Sequence, residues 1–333
     1  IVVAWLCGAR FMELKTIQTL DELNVSKPCI DMQDAGYNVE WSQELKVHES
    51  YAEYLRAWVL IHVLHKMLGF PGDGPGVIFN MSVGYNMEGI LQPNVQSFLN
   101  MMGQGGDRIR DYLAIIERYV PGARDIPVPS RLSDNVTLST MHGCPPEEIG
   151  VISRYLINER GLHTYVKCNP TLLGPDRLRG ILNDRLGYRD VTVPDLAFEH
   201  DLKYPDAVVL LRDLQQAAAA RGVEFGVKLS NTLEVVNQRK VFSPNEKMMY
   251  LSGRPLHALT VNLAAQLDAE FGGALPMSFA GGADAFNAPH LLAAGMRTVT
   301  VCSDLLRSGG YTRLGHYIEN TRAAMEAAGA ADL

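Results

Sequence analysis

Short apolar runs of strand type alternate with longer amphipathic runs of helix type along almost the whole chain, and a parallel α/β architecture follows from that alternation. The strand candidates are residues 11–16, 76–83, 135–138, 164–169, 224–229, 275–279 and 298–302. Their helical partners include residues 51–68, 107–119, 147–159, 205–221, 256–271 and 288–294. That is one strand short of the eight that close a (β/α)8 barrel. Residues 1–10 read as the end of an amphipathic helix, and no initiator Met precedes them. The expectation is therefore a TIM barrel lacking its first strand, cut from a larger multidomain polypeptide. Residues 1–333 form one barrel domain in this reading, with insertions at about 31–50 and 171–204. Segments that long without strong periodicity usually act as lids or partner surfaces.

The most specific local signal is a pair of segments near the C-terminus, LPMSFAGGAD at 275–284 and GMRTVTVCSDLL at 295–306. The first strand runs into Gly281-Gly282 and the second into Ser303, with a short helix between them. In a (β/α)8 barrel the last two strands deliver a phosphate to backbone N–H groups at this place. Gly lets backbone approach an anion closely, and a Ser hydroxyl adds a donor.

Composition narrows the partners. The chain is 47% hydrophobic and 20% charged with a formal net charge of −7, which argues against nucleic acid. No apolar run is long enough to span a bilayer, and residues 1–6 lack the basic flank of a signal peptide. The five cysteines (Cys7, Cys29, Cys144, Cys168, Cys302) show no C-x-x-C spacing, so a cluster site or disulfide framework is not expected here. A cytoplasmic setting is the default for such a chain.

Polar residues at strand ends nominate a site. Lys15 and Lys167 each sit on an apolar strand, where an ammonium group needs a partner. A single such Lys is usually a snorkelling side chain, but two on barrel strands suggest a shared electron-rich ligand such as an isoalloxazine ring. Asn86 ends SVGYN, and Asn231-Thr232 ends VKLSNT. A carboxamide suits the edge of a planar heterocycle, although a turn role is commoner for one Asn. Lys228 reads as a solvated edge residue, with a third ligand cation as the alternative. Ser252-Gly253, ahead of a long helix, has the form of an N-cap, a geometry that also binds phosphate.

The loop STMHGCPP at 139–146 places His142 and Cys144 before a helix start. A thiol near a helix N-terminus exchanges protons near neutrality, and His is the usual acid/base, so the two are rivals for one role. His62 and His65, at i, i+3 on one helix, read as ordinary helix residues.

In this order the segments ELKT, SVGYN, the Cys loop, YVKCNP, SNT, LSG, AGGAD and VCSDLL resemble the FMN barrel of dihydropyrimidine dehydrogenase and class 1 dihydroorotate dehydrogenases. The chain is most similar to the flavoprotein subunit family named for selenate reduction, a multidomain relative of those enzymes. The resemblance covers nearly all of residues 1–320. It implies that Lys15, Lys167, Asn231 and Thr232 contact flavin or substrate. It further implies that Ser252, Gly253, Gly281, Gly282, Cys302 and Ser303 hold the FMN phosphate and ribityl chain, that Asn86 touches the substrate, and that Cys144 moves a proton. The family's N–L–S–C–P loop is replaced here by S–T–M–H–G–C–P.

The implied function is an FMN-dependent oxidoreductase passing hydride between flavin N5 and a C=C or C–C bond of a planar nitrogen heterocycle. Iron–sulfur clusters and FAD or NAD(P)H are expected in other domains or subunits of the parent protein, since this chain carries no cluster signature and no G-x-G-x-x-G. Two other readings fit a barrel: a Schiff-base aldolase with Lys167 as nucleophile, and a non-catalytic scaffold.

Overall fold

A computed structural model describes residues 1–17, 19, 30–33, 36–39, 45–139 and 143–332. Its strands are β1 (Phe11–Ile17), β2 (Ile30–Asp31), β3 (Tyr37–Asn38), β4 (Ile78–Val83), β5 (Asn135–Leu138), β6 (His163–Cys168), β7 (Phe225–Leu229), β8 (Leu233–Val236), β9 (Met248–Leu251), β10 (Met277–Phe279) and β11 (Thr298–Val299). Seven of them form a parallel sheet in the order β1-β4-β5-β6-β7-β10-β11, so each strand lies beside the next in sequence. Each of the seven coincides with a run identified in the sequence, β5 without change and the others with shifts of one to three residues at the ends. Residues 76–77 drop out of β4 because Gly76 takes a left-handed φ of 59° after Pro75. Strand β11 keeps only the two residues that pair with β10.

Helices on the outside connect these strands, chiefly Val47–Met67, Pro93–Gly103, Gly106–Ile116, Pro146–Arg154, Tyr204–Arg221, Arg254–Phe271 and Ala288–Ala293, with Leu314–Ala328 following β11. The helix from Pro146 extends through a π-helical turn, Tyr155–Glu159, which completes the helix expected at 147–159. The sheet curls, and among the described residues β1 and β11 each pair with one barrel strand only. The outward-facing layer is apolar and fully covered: Met12, Leu14, Val136, Val166 and Val227 are all buried against the helices.

The inward-facing layer differs from the branched aliphatic stacking that fills many such barrels. Register sets Glu13 beside Asn80, Lys167 beside Lys228, Lys228 beside Ser278 and Ser278 beside Thr298. These polar side chains satisfy one another: Asn80 Nδ2 donates to Thr137 Oγ1 at 2.8 Å, and the Ser278 and Thr298 hydroxyls lie 2.6 Å apart. At the N-terminal end of the barrel Tyr165 lies over Gly226, where a Cβ would come within 2.6 Å of its ring. Its hydroxyl donates to Glu224 Oε1 at 2.6 Å. The barrel is thus plugged at one end and polar toward the other.

Both insertions are structured where described. Residues of the first supply β2 and β3 to a small antiparallel sheet, order β2-β3-β9-β8, beside the barrel mouth. The second contains the helices Pro175–Arg179 and Asp195–His200 and buries Leu172, Leu178, Leu182 and Val193. Among the described residues no helix is long and apolar enough to cross a membrane.

Candidate active site

A cavity of about 1160 Å³ opens at the C-terminal ends of the strands and extends toward the gap between β1 and β11. Its walls include Lys167 from β6, Thr232 after β7, Ser252 and Gly253 before the 254–271 helix, Gly282 after β10, and Cys302 and Ser303 after β11. Residues nominated separately in the sequence therefore meet around one space.

One wall carries the start of a long helix. The helix Arg254–Phe271 begins at Gly253, which has φ 73° and caps without a side chain. Its first N–H groups and helix dipole favour negative charge at this point. Gly282 (φ 73°) packs directly on it: a Cβ there would lie 2.3 Å from the Gly253 carbonyl oxygen. Gly281 is small for a different reason, since its Cβ would meet Thr260 Oγ1 at 2.0 Å. Gly282 shapes the cup, whereas Gly281 lets the helix approach the sheet.

Ser252 is not the side-chain cap the sequence suggests: Gly253 is the N-cap, and no side chain caps the helix start. Its hydroxyl donates to the Gly36 carbonyl at 3.1 Å and its N–H to the same oxygen at 2.9 Å. Gly36 (φ 127°) passes so close that a Cβ would stand 2.9 Å from Ser252 Oγ and 3.5 Å from Ser303 Oγ. The first insertion thus runs over the cup. Beyond Ser303, Arg313 makes a two-point pair with Asp304 (2.8 and 3.1 Å), and Tyr317 donates to the same carboxylate at 2.8 Å. Burial pulls the Asp304 pKa upward, yet these hydrogen bonds outweigh it and hold it below its ordinary value.

The floor is charged. Lys228 Nζ forms a close ion pair with the Glu13 carboxylate, and Lys228 is only 1% exposed. This corrects the expectation of a solvated Lys228: its strand is buried on both faces. Burial pulls Glu13 upward in pKa, but the charges of Lys228 and Lys167 bring it below its usual value. Burial lowers the pKa of Lys167; Glu13 opposes that shift and Lys228 adds to it. Burial raises the Cys302 thiol, assisted by Glu13.

Other nominated residues lie elsewhere. Lys15 is exposed on β1 and outside the cavity lining. Asn86 is the N-cap of the short helix Met87–Ile90, its Oδ1 accepting from Gly89 N at 2.8 Å, which is the turn role weighed for it. Asn231 is 6% exposed, and its Oδ1 accepts from the Thr232 N–H at 3.0 Å. Cys144 borders a second, water-sized cavity of about 20 Å³ together with Lys167, Asn169 and Asp201. His142 falls outside the described residues. His62, buried, bonds Trp58 O at 2.8 Å as an ordinary helix residue.

Three contributors were not nominated from sequence. Glu13 stands in the stretch ELKT, where Lys15 drew attention first. Arg254 lines the cup immediately after Ser252-Gly253, and its position at a helix start was the available signal. Asp201 sits in an insertion with no motif around it.

Residues 1–332 match the family described as oxidoreductase YgfK, N-terminal TIM-barrel domain. Two Escherichia coli proteins, of strain K12 and strain O157:H7, both provisionally named oxidoreductase YgfK, are 43% identical over 94% of this chain. The chain spans about a third of their length, 32% of each. Among solved structures, ligand-free DHODH from Eimeria tenella superposes with a TM-score of 0.53 over 96% of this chain and 79% of that one. The same organism's DHODH in complex with ferulenol gives 0.56 over 96% and 76%. Both are 14% identical, a likeness of fold alone.

Proposed function

The chain belongs to the family of YgfK N-terminal TIM-barrel oxidoreductase domains, and on that premise we propose that its cavity holds FMN and supports hydride exchange with a planar nitrogen heterocycle. The observation that carries this reading is the convergence of Lys167, Thr232, Ser252, Gly253, Gly282 and Ser303 on one cavity at the C-terminal end of the barrel. Ligand cavities ordinarily span about 300–1,000 Å³, so a cofactor-sized molecule fits with room for a substrate.

The donor set fits the group. Backbone N–H groups at the start of the 254–271 helix, the Ser303 hydroxyl and the Arg254 guanidinium suit a phosphate. Lys167, with a lowered pKa and Glu13 beside it, is placed to meet an electron-rich ring edge. When bound, FMN supplies the hydride acceptor or donor at N5. This chain's own residues orient that ring, exclude water and manage the proton, the last through the loop of Cys144 and His142. Gly36, over the cup, helps to exclude water. In the parent protein the electron source, through iron–sulfur and FAD or NAD(P)H centres, is assigned to parts outside this chain, and one barrel with two insertions is assigned to this chain.

The test is reconstitution of the apoprotein with FMN. Stoichiometric binding with quenched flavin fluorescence is expected, and a folded protein that leaves FMN free in solution would reject the reading. One observation favours a second reading. The lowered pKa of Lys167 also suits a Schiff-base nucleophile. Borohydride trapping of a carbonyl compound on Lys167 would select that chemistry.

A further inference from the structure

The helix Asp195–His200 ends at a carboxylate that reaches out of the second insertion into the loop of Cys144. Asp201 is 5% exposed. Its Oδ1 accepts from the Gly143 N–H at 2.8 Å and its Oδ2 from the Thr171 hydroxyl at 2.7 Å. Gly143, with φ 82°, immediately precedes Cys144, so the first bond fixes the backbone that carries the thiol. The opposite face of Gly143 is closed by His200, 3.5 Å from where a Cβ would stand.

Asp201, Cys144, Lys167 and Asn169 then share the cavity of about 20 Å³. That is room for one water molecule. Asn169 presents it with a buried Oδ1 that has no hydrogen-bond partner. Other titratable groups lie on the elements around the Cys144 loop, among them His200, packed on Gly143. From β6 come Lys167 and Cys168, the latter pushed up to about 12 by burial. From the helix Pro146–Arg154 come Glu147 and Glu148, of which Glu148 accepts from Met87 N. The helix start and Lys167 favour a thiolate. A buried carboxylate favours the neutral thiol, the form that can donate a proton.

We propose that Asp201 is the positioning residue of the Cys144 loop, holding the backbone at Gly143 and keeping the thiol in its proton-donating form beside Lys167. The proposal rests on Cys144 being the acid/base group of the reading above. It gives the 171–204 insertion a purpose: the segment carries a charge into the site from outside the barrel.

The test is alkylation of Cys144 by iodoacetamide in the full-length protein, followed by peptide mass mapping between about pH 6 and 10. Asp201→Asn keeps an acceptor for Gly143 N–H and removes the charge. Its alkylation midpoint should fall by roughly half to one pH unit, which speeds reaction at pH 7 by about threefold to tenfold. Cys302, against a different wall, should keep its midpoint and serves as the internal reference. A merely structural role would scale the rate equally at every pH, and that result, or no change, overturns the proposal. Should Asp201→Asn fail to fold, Thr171→Val takes one donor from the carboxylate, and faster hydrogen exchange at the Gly143 amide is expected. Unchanged exchange there would equally overturn it. These readouts need no flavin, so a failure of the functional reading, seen as FMN left free, is distinguishable from a failure of this proposal, seen in the alkylation and exchange results.

Discussion

Glu13 and Lys228 form a close ion pair across the barrel interior although their strands, β1 and β7, are not neighbours and the residues are 215 positions apart. The pair is a chord of the curled sheet: it ties the first strand to the fifth, beside Lys167. Two lysines stand side by side on β6 and β7, and one carboxylate answers both. With one negative and two positive groups, the floor carries an excess of positive charge toward the cavity. That is the polarity an electron-rich ring edge requires.

Removing the carboxylate should therefore cost stability. Glu13→Gln takes the carboxylate from the buried Lys228 and its neighbour Lys167 and, with Glu13 itself 27% exposed, should destabilise by about 1–3 kcal/mol. Adding Lys228→Met should recover most of that loss. Because the Glu13 pKa is lowered on folding from its ordinary 4.5, its contribution is present above that pH and disappears as pH falls through the lower folded value. Urea midpoints should separate wild type from Glu13→Gln at pH 7 and converge in acid. Equal midpoints at pH 7 would refute the argument.

The phosphate cup calls for a variant that spares the backbone. Gly282 tolerates no side chain, because its φ of 73° and the Gly253 carbonyl 2.3 Å from its Cβ position exclude one. Gly282→Asp should therefore fail to fold well, and loss of FMN from it would say little about charge. Ser303→Asp is the better probe. Two like charges about 4 Å apart repel by about 4 kcal/mol at an effective dielectric near 20. FMN affinity should fall by at least roughly a hundredfold while the thermal midpoint stays within a few degrees. Retained affinity would move the phosphate elsewhere.

The Asp304 latch yields a third expectation. Arg313→Met removes both guanidinium bonds to Asp304 and keeps the one from the Tyr317 hydroxyl, loosening the helix Leu314–Ala328 from the segment that carries Ser303. The pair is partly exposed, so the loss should be modest, about 1–2 kcal/mol. The effect on FMN affinity should exceed that of Arg297→Met, whose pair with Glu224 lies at the opposite end of the barrel. Equal effects would mean that the latch does not shape the cup.

The strand order was legible because each barrel strand is a self-contained apolar run flanked by breakers, and the helices between them carry their own periodicity. That Gly282 and Ser303 would stand at the strand ends was legible because each follows its strand closely, and both line the cavity. What escaped was non-local. Nothing near Lys228 signals a partner on β1, so a lysine in a run of five buried residues read as an edge residue. The small antiparallel sheet escaped because β2 and β3 are two residues long, too short for any alternation to register. Asp201 escaped because the donors to it among the described residues, Gly143 and Thr171, come from distant turns of the chain. Asn86 and Ser252 carried a real signal, a strand end and a helix start, that local capping and the Gly36 contact already account for.

Cys144 and His142 cannot both be the principal acid/base, and substitution separates them. Cys144 shares a water-sized cavity with Lys167 and Asp201, amid Ile149, Val166, Leu172 and Leu202, and precedes the helix Pro146–Arg154. Cys144→Ala in the full-length enzyme should slow substrate-dependent flavin turnover by roughly 10²–10⁴-fold, the usual weight of general acid–base catalysis. Reduction of the flavin by a chemical reductant should be unchanged, because it needs no proton on substrate carbon. Cys144→Ser should keep partial activity with an optimum at higher pH, since a hydroxyl is a weaker acid than a thiol. His142→Ala should cost far less than Cys144→Ala. The reverse ranking, with His142→Ala abolishing turnover and Cys144→Ala nearly silent, would transfer the role to His142 and leave the Asp201 contact as an anchor of the loop alone.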